Sequence, residues 1–209
     1  MTTKEKKQKL FKKKLKANFS AIITFISAIY KLVTGFFLGL VFMASGAYTF
    51  VIFLCKLLYA KNIESDKQKQ IYTYFKMSLL LIIVSVFFLI SNIVTINDIP
   101  KDYGLSINIL LASIILVLFI LSLFGMKKKR SNENILTRGI KLTAFTSSLI
   151  NLVLFEKLFI YYFDYYHLIN DIYHFNLYFV IIISSIIVLI SVLMFINFLI
   201  INHKYNKEK

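Results

Sequence analysis

Apolar residues in this chain come in long unbroken runs, and polar residues collect between the runs. Stretches such as Ser78 to Phe88 and Ile107 to Phe124 are apolar on every side. A membrane β-strand alternates apolar and polar positions over about ten residues, and the surface helix of a soluble domain keeps a polar face. Neither pattern is present, whereas apolar runs of about twenty residues match the hydrocarbon thickness that one helix crosses. The pattern predicts an all-α fold, a polytopic transmembrane helical bundle of six spans at about 17–34, 36–59, 77–97, 106–125, 139–163 and 176–202. A basic segment, 1–16, precedes this single transmembrane domain, 17–202, and a basic tail, 203–209, follows it.

The first apolar stretch, Ala17 to Ala60, is interrupted only by Lys31 and Lys56 and leaves open one crossing or two. It is far longer than the 7 to 15 or so apolar residues of a cleaved signal peptide. Lys and Arg decide the number, because they stay on the cytoplasmic side. Eight lie in Lys4 to Lys16, four in Lys61 to Lys76, one (Lys101) in the next connection, six in Lys127 to Lys141, none in Asp164 to Phe175 and three after His203. One crossing puts the blocks of four, six and three outside. Two crossings leave Lys101 alone outside and both termini cytoplasmic. The hairpin is then expected to turn near Thr34 and Gly35, leaving a first span of about seventeen residues, which a thinned bilayer tolerates. The alternative is five spans plus a re-entrant or interfacial N-terminal helix. Pro100 and Gly104 mark a turn in the shortest connection.

With 58% hydrophobic residues and a mean hydropathy of +0.74, the chain exceeds the 45 to 50% or so of soluble domains. The net charge of +15 lies beside the spans, where it suits anionic lipid rather than nucleic acid. The partners expected are therefore the bilayer, with anionic lipids at the basic segments, and a protein partner or second copy. The segment Lys4 to Lys16 places Leu10, Phe11 and Leu15 near one side among its lysines, as a surface helix does. Lys127 to Arg130 offers a second basic docking run. The single cysteine, Cys55, lies within an apolar run and reads as a small buried residue. The sequence has no phosphate-binding loop, nucleophile elbow, zinc-binding H-E-x-x-H or C-x-x-C, so no cofactor and no catalytic residue is expected.

Polar positions inside the spans are the candidates for function. Ser20, Thr24, Ser27, Lys31 and Thr34 recur at helical spacing on one side of the first span and are expected to share hydrogen bonds with neighbouring helices. Gly35 and Gly39 form a G-x-x-x-G pair, followed by Ala44, Ser45, Gly46 and Ala47, which signals close helix contact. Ser78, Ser85 and Asn92, and Ser184 and Ser191, repeat at seven-residue steps and read as contacts between helices. Lys31 and Glu156 are the ionisable groups at greatest depth, roughly 21 and 24 Å from the cytoplasmic edges at 1.5 Å per residue. Burial of such groups is costly and marks function, and the matched depth predicts a contact between them, against the plainer reading in which Lys157 partners locally and both charges snorkel toward the outer headgroups. Lys56 and Lys141, near the inner edges, read as snorkelling anchors. In the last outer connection Asp164, His167, Asp171 and His174 share one side if that stretch is helical, a donor set suited to a divalent metal. The plainer reading is an interfacial helix whose Tyr161, Tyr162, Tyr165, Tyr166, Tyr173 and Tyr178 sit at the headgroups.

The run Ser27-Ala-Ile-Tyr30-Lys31, with Gly46-Ala-Tyr48, Lys56, Tyr59 and Lys61, and the run Lys141-Leu-Thr-Ala-Phe-Thr-Ser-Ser, resemble small multi-pass membrane proteins of low-GC Gram-positive bacteria and their wall-less relatives. The resemblance implies a bacterial cytoplasmic membrane and carries no function or site with it. The polar first span and the two deep charges motivate a transport-related component. A structural, assembly or interaction protein is the alternative, and a membrane-embedded enzyme comes third.

Overall fold

The computed structural model describes residues 3–96, 105–124, 134–165 and 171–207. Six α-helices occur among them: α1 (Thr3–Leu38), α2 (Leu40–Asn62), α3 (Lys67–Val94), α4 (Leu105–Phe124), α5 (Ile135–Tyr165) and α6 (Ile172–Lys207). Five are long and apolar enough to cross a membrane: α1 from Ala17, α2, α3, α5 to Ile160 and α6 from Tyr173. The sixth, α4, has twenty residues without a charged side chain, about 30 Å of helix. The all-α bundle expected from the apolar runs is the observed fold, and its composition is that of a membrane protein.

Helices α2, α3, α5 and α6 form the centre, with α3 packed on α2, α5 and α6; α1 lies outside against α2, and α4 outside against α5. Tyr48, Ile52, Met77, Leu81, Phe88, Ile150, Leu154, Ile187 and Met194 are core residues with almost no exposed surface. The large exposed side chains, among them Ile22, Ile26, Val33, Ile83, Ile90, Leu189 and Leu193, are apolar, as the outside of a bundle in lipid must be.

The α1–α2 hairpin turns at Gly39, not at Thr34–Gly35. Gly39 alone separates the helices, with φ 101° and ψ −175°, a region open essentially to glycine only. The helical bond Gly39 N–H to Gly35 C=O (2.9 Å) carries α1 one turn beyond the expected end. The first span therefore has 22 residues, Ala17–Leu38, and needs no thinned bilayer. Contacts fall symmetrically about the turn: Gly35 against Met43, Leu32 against Gly46 and Phe25 against Phe53 at 4.9 Å between centroids. Because these pairs continue to Ser20 and Lys56, α1 accompanies α2 along its length.

Other boundaries shift for local reasons. Asp66 caps α3 by accepting from Lys69 N–H at 3.1 Å, so the basic stretch from Lys67 is helix rather than connection. The remaining turn is tied by Gln70, whose amide donates to the Ile63 and Ser65 carbonyls at 3.2 and 2.7 Å. Asn134 accepts from Leu136 N–H at 3.1 Å and starts α5 before Gly139. No Gly or Pro interrupts 3–34 or 172–207, and α1 and α6 therefore run through the basic ends expected as separate segments. Pro100, Gly104 and Lys127 to Arg130 lie outside the described residues.

A Cβ at Gly35 would stand 2.6 Å from the Met43 backbone nitrogen, and one at Gly46 2.8 Å from that of Leu32. Gly35→Ala and Gly46→Ala are each expected to destabilise the bundle by about 1 to 3 kcal/mol through overpacking, and Gly39→Ala by a similar amount through backbone strain. Gly139→Ala, whose added methyl meets only side-chain atoms at 3.0 to 3.2 Å, should cost less. Unfolding of the purified protein in mixed micelles measures the series; equal stability of all four variants and the parent would contradict this packing.

Candidate functional site

Most hydroxyls inside the spans are satisfied by their own helix. Thr24, Thr34, Ser45, Thr49, Ser78, Ser91, Thr143, Thr146 and Ser148 each donate to a carbonyl three or four residues earlier, a bond that needs no neighbour. A polar stripe alone therefore marks no site. The informative groups are those that reach another helix and those that reach nothing.

Three sets connect helices. Near the basic end of α1, Lys56 Nζ donates to Thr24 Oγ1 (2.5 Å) and to Ser20 Oγ (2.9 Å) and C=O (3.4 Å). It turns into the α1–α2 seam rather than snorkelling outward, because two hydroxyls on the stripe are within reach. In the middle, Lys31, only 2% exposed, donates to Asn151 Oδ1 on α5 at 2.6 Å and Thr49 Oγ1 on α2 at 3.2 Å. Deeper in the core, Tyr48 Oη on α2 meets Ser85 Oγ on α3 at 3.2 Å, and Ser85 Oγ meets Ser191 Oγ on α6 at 2.8 Å. The stripe on α1 thus does share hydrogen bonds with its neighbours, and of the seven-residue repeats Ser85 and Ser191 pair directly. Sequence reasoning missed Asn151 and Tyr48; a lone amide or phenol in an apolar run gives a signal only once its partner is known.

Lys31 and Glu156 are both buried, as expected, but they form no ion pair. Lys31 engages Asn151, five residues before Glu156 on α5 and about 7.5 Å away along the axis. Neutral acceptors satisfy the ammonium, while neither oxygen of Glu156, 4% exposed, has a hydrogen-bond partner. Lys157 follows Glu156 in α5, and Lys31, Glu156 and Lys157 are all buried, so none of the three snorkels to the headgroups.

The other buried oxygens without a hydrogen-bond partner, among the described residues, are Tyr30 Oη, Asn92 Oδ1, Asn176 Oδ1 and Ser184 Oγ. All lie in the half of the bundle that holds the Gly39 turn. Asn92 stands seven residues after Ser85, and Ser184 seven before Ser191, so the antiparallel Ser85–Ser191 contact sets them level. Gly139 packs on Tyr74, and the same count from each, 17 and 18 residues, aligns Glu156 and Lys157 with Ser91 and Asn92. One level of three mutually packed helices therefore carries Asn92, Ser184, Glu156 and Lys157. Beyond it, Asn176 Nδ2 donates to the Ile96 C=O at 2.9 Å.

The proposed metal donors are placed only in part. Asp171 Oδ1 accepts from His174 N–H at 3.1 Å, and Oδ2 meets His174 Nδ1 at 2.5 Å. These bonds cap the start of α6, and the backbone bond first, then the ring, hold the Asp171 carboxyl below its ordinary range. His167 and the side chain of Asp164 lie outside the described residues. Among the described residues no group of three or more His, Cys, Asp or Glu is placed to hold a metal. Of the tyrosines expected at the headgroups, Tyr173 and Tyr178 are exposed beside the start of α6.

No family model, no curated protein and no solved structure matches this chain.

Asn151→Leu strands the Lys31 ammonium with Thr49 alone and is expected to cost about 1 to 3 kcal/mol or more. Lys31→Met combined with Asn151→Leu removes both partners and should be markedly less destabilised than the sum of the single variants. A double-mutant cycle on the purified protein measures the coupling; strict additivity would mean the bond contributes nothing.

Proposed function

We propose that this protein is a transport-related component of a bacterial cytoplasmic membrane, with both termini in the cytoplasm and the Gly39 half toward the outer face. The observation that carries the reading is the unsatisfied polar level at Glu156, Asn92 and Ser184, with the Lys31–Thr49–Asn151 set inward of it. Ionisable groups inside a bundle are costly and are retained on substrate and ion pathways. The unpartnered groups are oxygens, which suit a proton or small cation as the moving species. Glu156 is the group that takes up and releases it, and Lys31 holds the middle of the pathway. No nucleotide motif is present, so the driving force is an ion gradient, passive flow or a separate subunit.

The orientation rests on charge. Apart from Lys31 and Lys157, the Lys and Arg residues in the described helices lie toward the end where α1 begins, opposite Gly39, and such residues stay cytoplasmic.

A second reading, an assembly or interaction protein, is favoured by a lateral groove of about 490 Å³ between α1, α2 and α3. Its lining, including Leu32, Phe50, Ile83 and Phe87, is apolar and suits another membrane helix.

Vesicles containing the full chain and a trapped pH dye, driven by a potassium diffusion potential, separate the readings. The transport reading expects proton entry above that of empty vesicles, lost in Glu156→Gln and reduced in Lys31→Met. Flux equal to empty vesicles for the folded parent protein contradicts it and favours the interaction reading.

A further inference from the structure

The basic end holds a second feature, independent of the transport reading. A cleft of about 300 Å³ opens between the start of α3 and the end of α6, lined by Gln68, Ile71, Tyr72, Phe75, Phe198, Asn202, Tyr205 and Asn206. Its polarity is graded along the bundle axis. Gln68, Asn206 and Tyr205 lie within two residues of the helix ends at 67 and 207, whereas Phe75 and Phe198 lie eight or nine residues in. The Phe75 and Phe198 rings meet at a tilt, 4.8 Å between centroids, at the inner end. Two cations flank the cleft: Lys67 Nζ stands 5.3 Å from the Tyr205 ring centroid, and Lys76 Nζ, reaching back along α3, stands 4.6 Å from that of Tyr72.

An occupant must therefore be anionic at the helix ends and apolar one or two turns inward. Inorganic phosphate has no use for the phenylalanine floor, and a neutral lipid has no use for the lysines. We propose that this cleft is a binding site for an anionic glycerophospholipid of the leaflet at the basic end. Lys67 and Lys76 meet the phosphate and headgroup, the amides of Gln68, Asn202 and Asn206 hydrogen-bond the headgroup and ester oxygens, and Ile71, Phe75 and Phe198 receive the first acyl methylenes. Basic pockets between spans on the cytoplasmic side are where such headgroups are recognised, and aromatic rings suit that depth.

The test is native mass spectrometry of the full chain, released from detergent after titration with phosphatidylglycerol or phosphatidylcholine. One retained phosphatidylglycerol in preference to phosphatidylcholine is expected, weakened about fivefold by Lys67→Gln and again by Lys76→Gln. Lys204→Gln with Lys207→Gln, a matched loss of charge at the same helix end but outside the cleft lining, should weaken retention less than the Lys67 and Lys76 pair. Asn202→Leu, which keeps the charge and adds bulk at the mouth, should weaken it without unfolding the helix. Equal retention of the two lipids, or equal loss from the two lysine pairs, overturns the site. So does full competition by millimolar inorganic phosphate, which would mark a free-anion site.

Discussion

Hydrocarbon offers no hydrogen bonds, so every polar group this chain carries into the membrane must find its partner inside the protein. That constraint shapes most of the bundle. It makes the spans helical, turns the serine and threonine hydroxyls onto their own carbonyls, and draws Lys56 and Lys31 inward to hydroxyl and amide acceptors. The apolar effect does little to join helices that are already in lipid. Close backbone contact at Gly35 and Gly46 and the bonds from Lys31, Lys56 and Tyr48 supply the cohesion that apolar burial supplies in water.

Against that background the exceptions carry the information. Among the described residues, the buried side-chain oxygens without a hydrogen-bond partner gather in the half that holds the Gly39 turn. Native interiors leave few buried polar groups unpaired, and those few call for an explanation. Three of them, on Asn92, Glu156 and Ser184, share one level of α3, α5 and α6, which is the basis of the pathway proposed above for a proton or small cation. The amphipathic cleft at the opposite end answers to a different solvent, the headgroup layer, and tells nothing about the first site.

The fold was largely legible in the sequence because the membrane imposes a length and an apolarity on each span. The apolar run at 106–125, for instance, lies within a residue of α4 at both ends. The turns were less legible. Thr34–Gly35 and Gly39 both offer a glycine, and only the close approach of Gly35 to Met43 shows that the first glycine packs while the second turns. The ends of α3 and α6 run into the charge blocks because a cap such as Asp66 starts the helix there and no breaker intervenes. Of the candidate site, the burial of Lys31 and Glu156 could be read from depth. Their separation could not, since the angle between α1 and α5 about the bundle axis has no signature in either segment alone. Asn151, the actual partner of Lys31, became visible only with both helices in place.

The most direct test is thiol accessibility on a Cys55→Ala background, with single cysteines replacing Ser65, His174 and Leu189. A small membrane-impermeant reagent is applied to intact cells and again after lysis. With the Gly39 half toward the outer face, the cysteine at His174, exposed at the start of α6, reacts in intact cells, the one at Ser65 reacts only after lysis, and the one at exposed, lipid-facing Leu189 stays inert in both. A cysteine at His174 that reacts only after lysis, or a cysteine at Ser65 that reacts in intact cells, would contradict it.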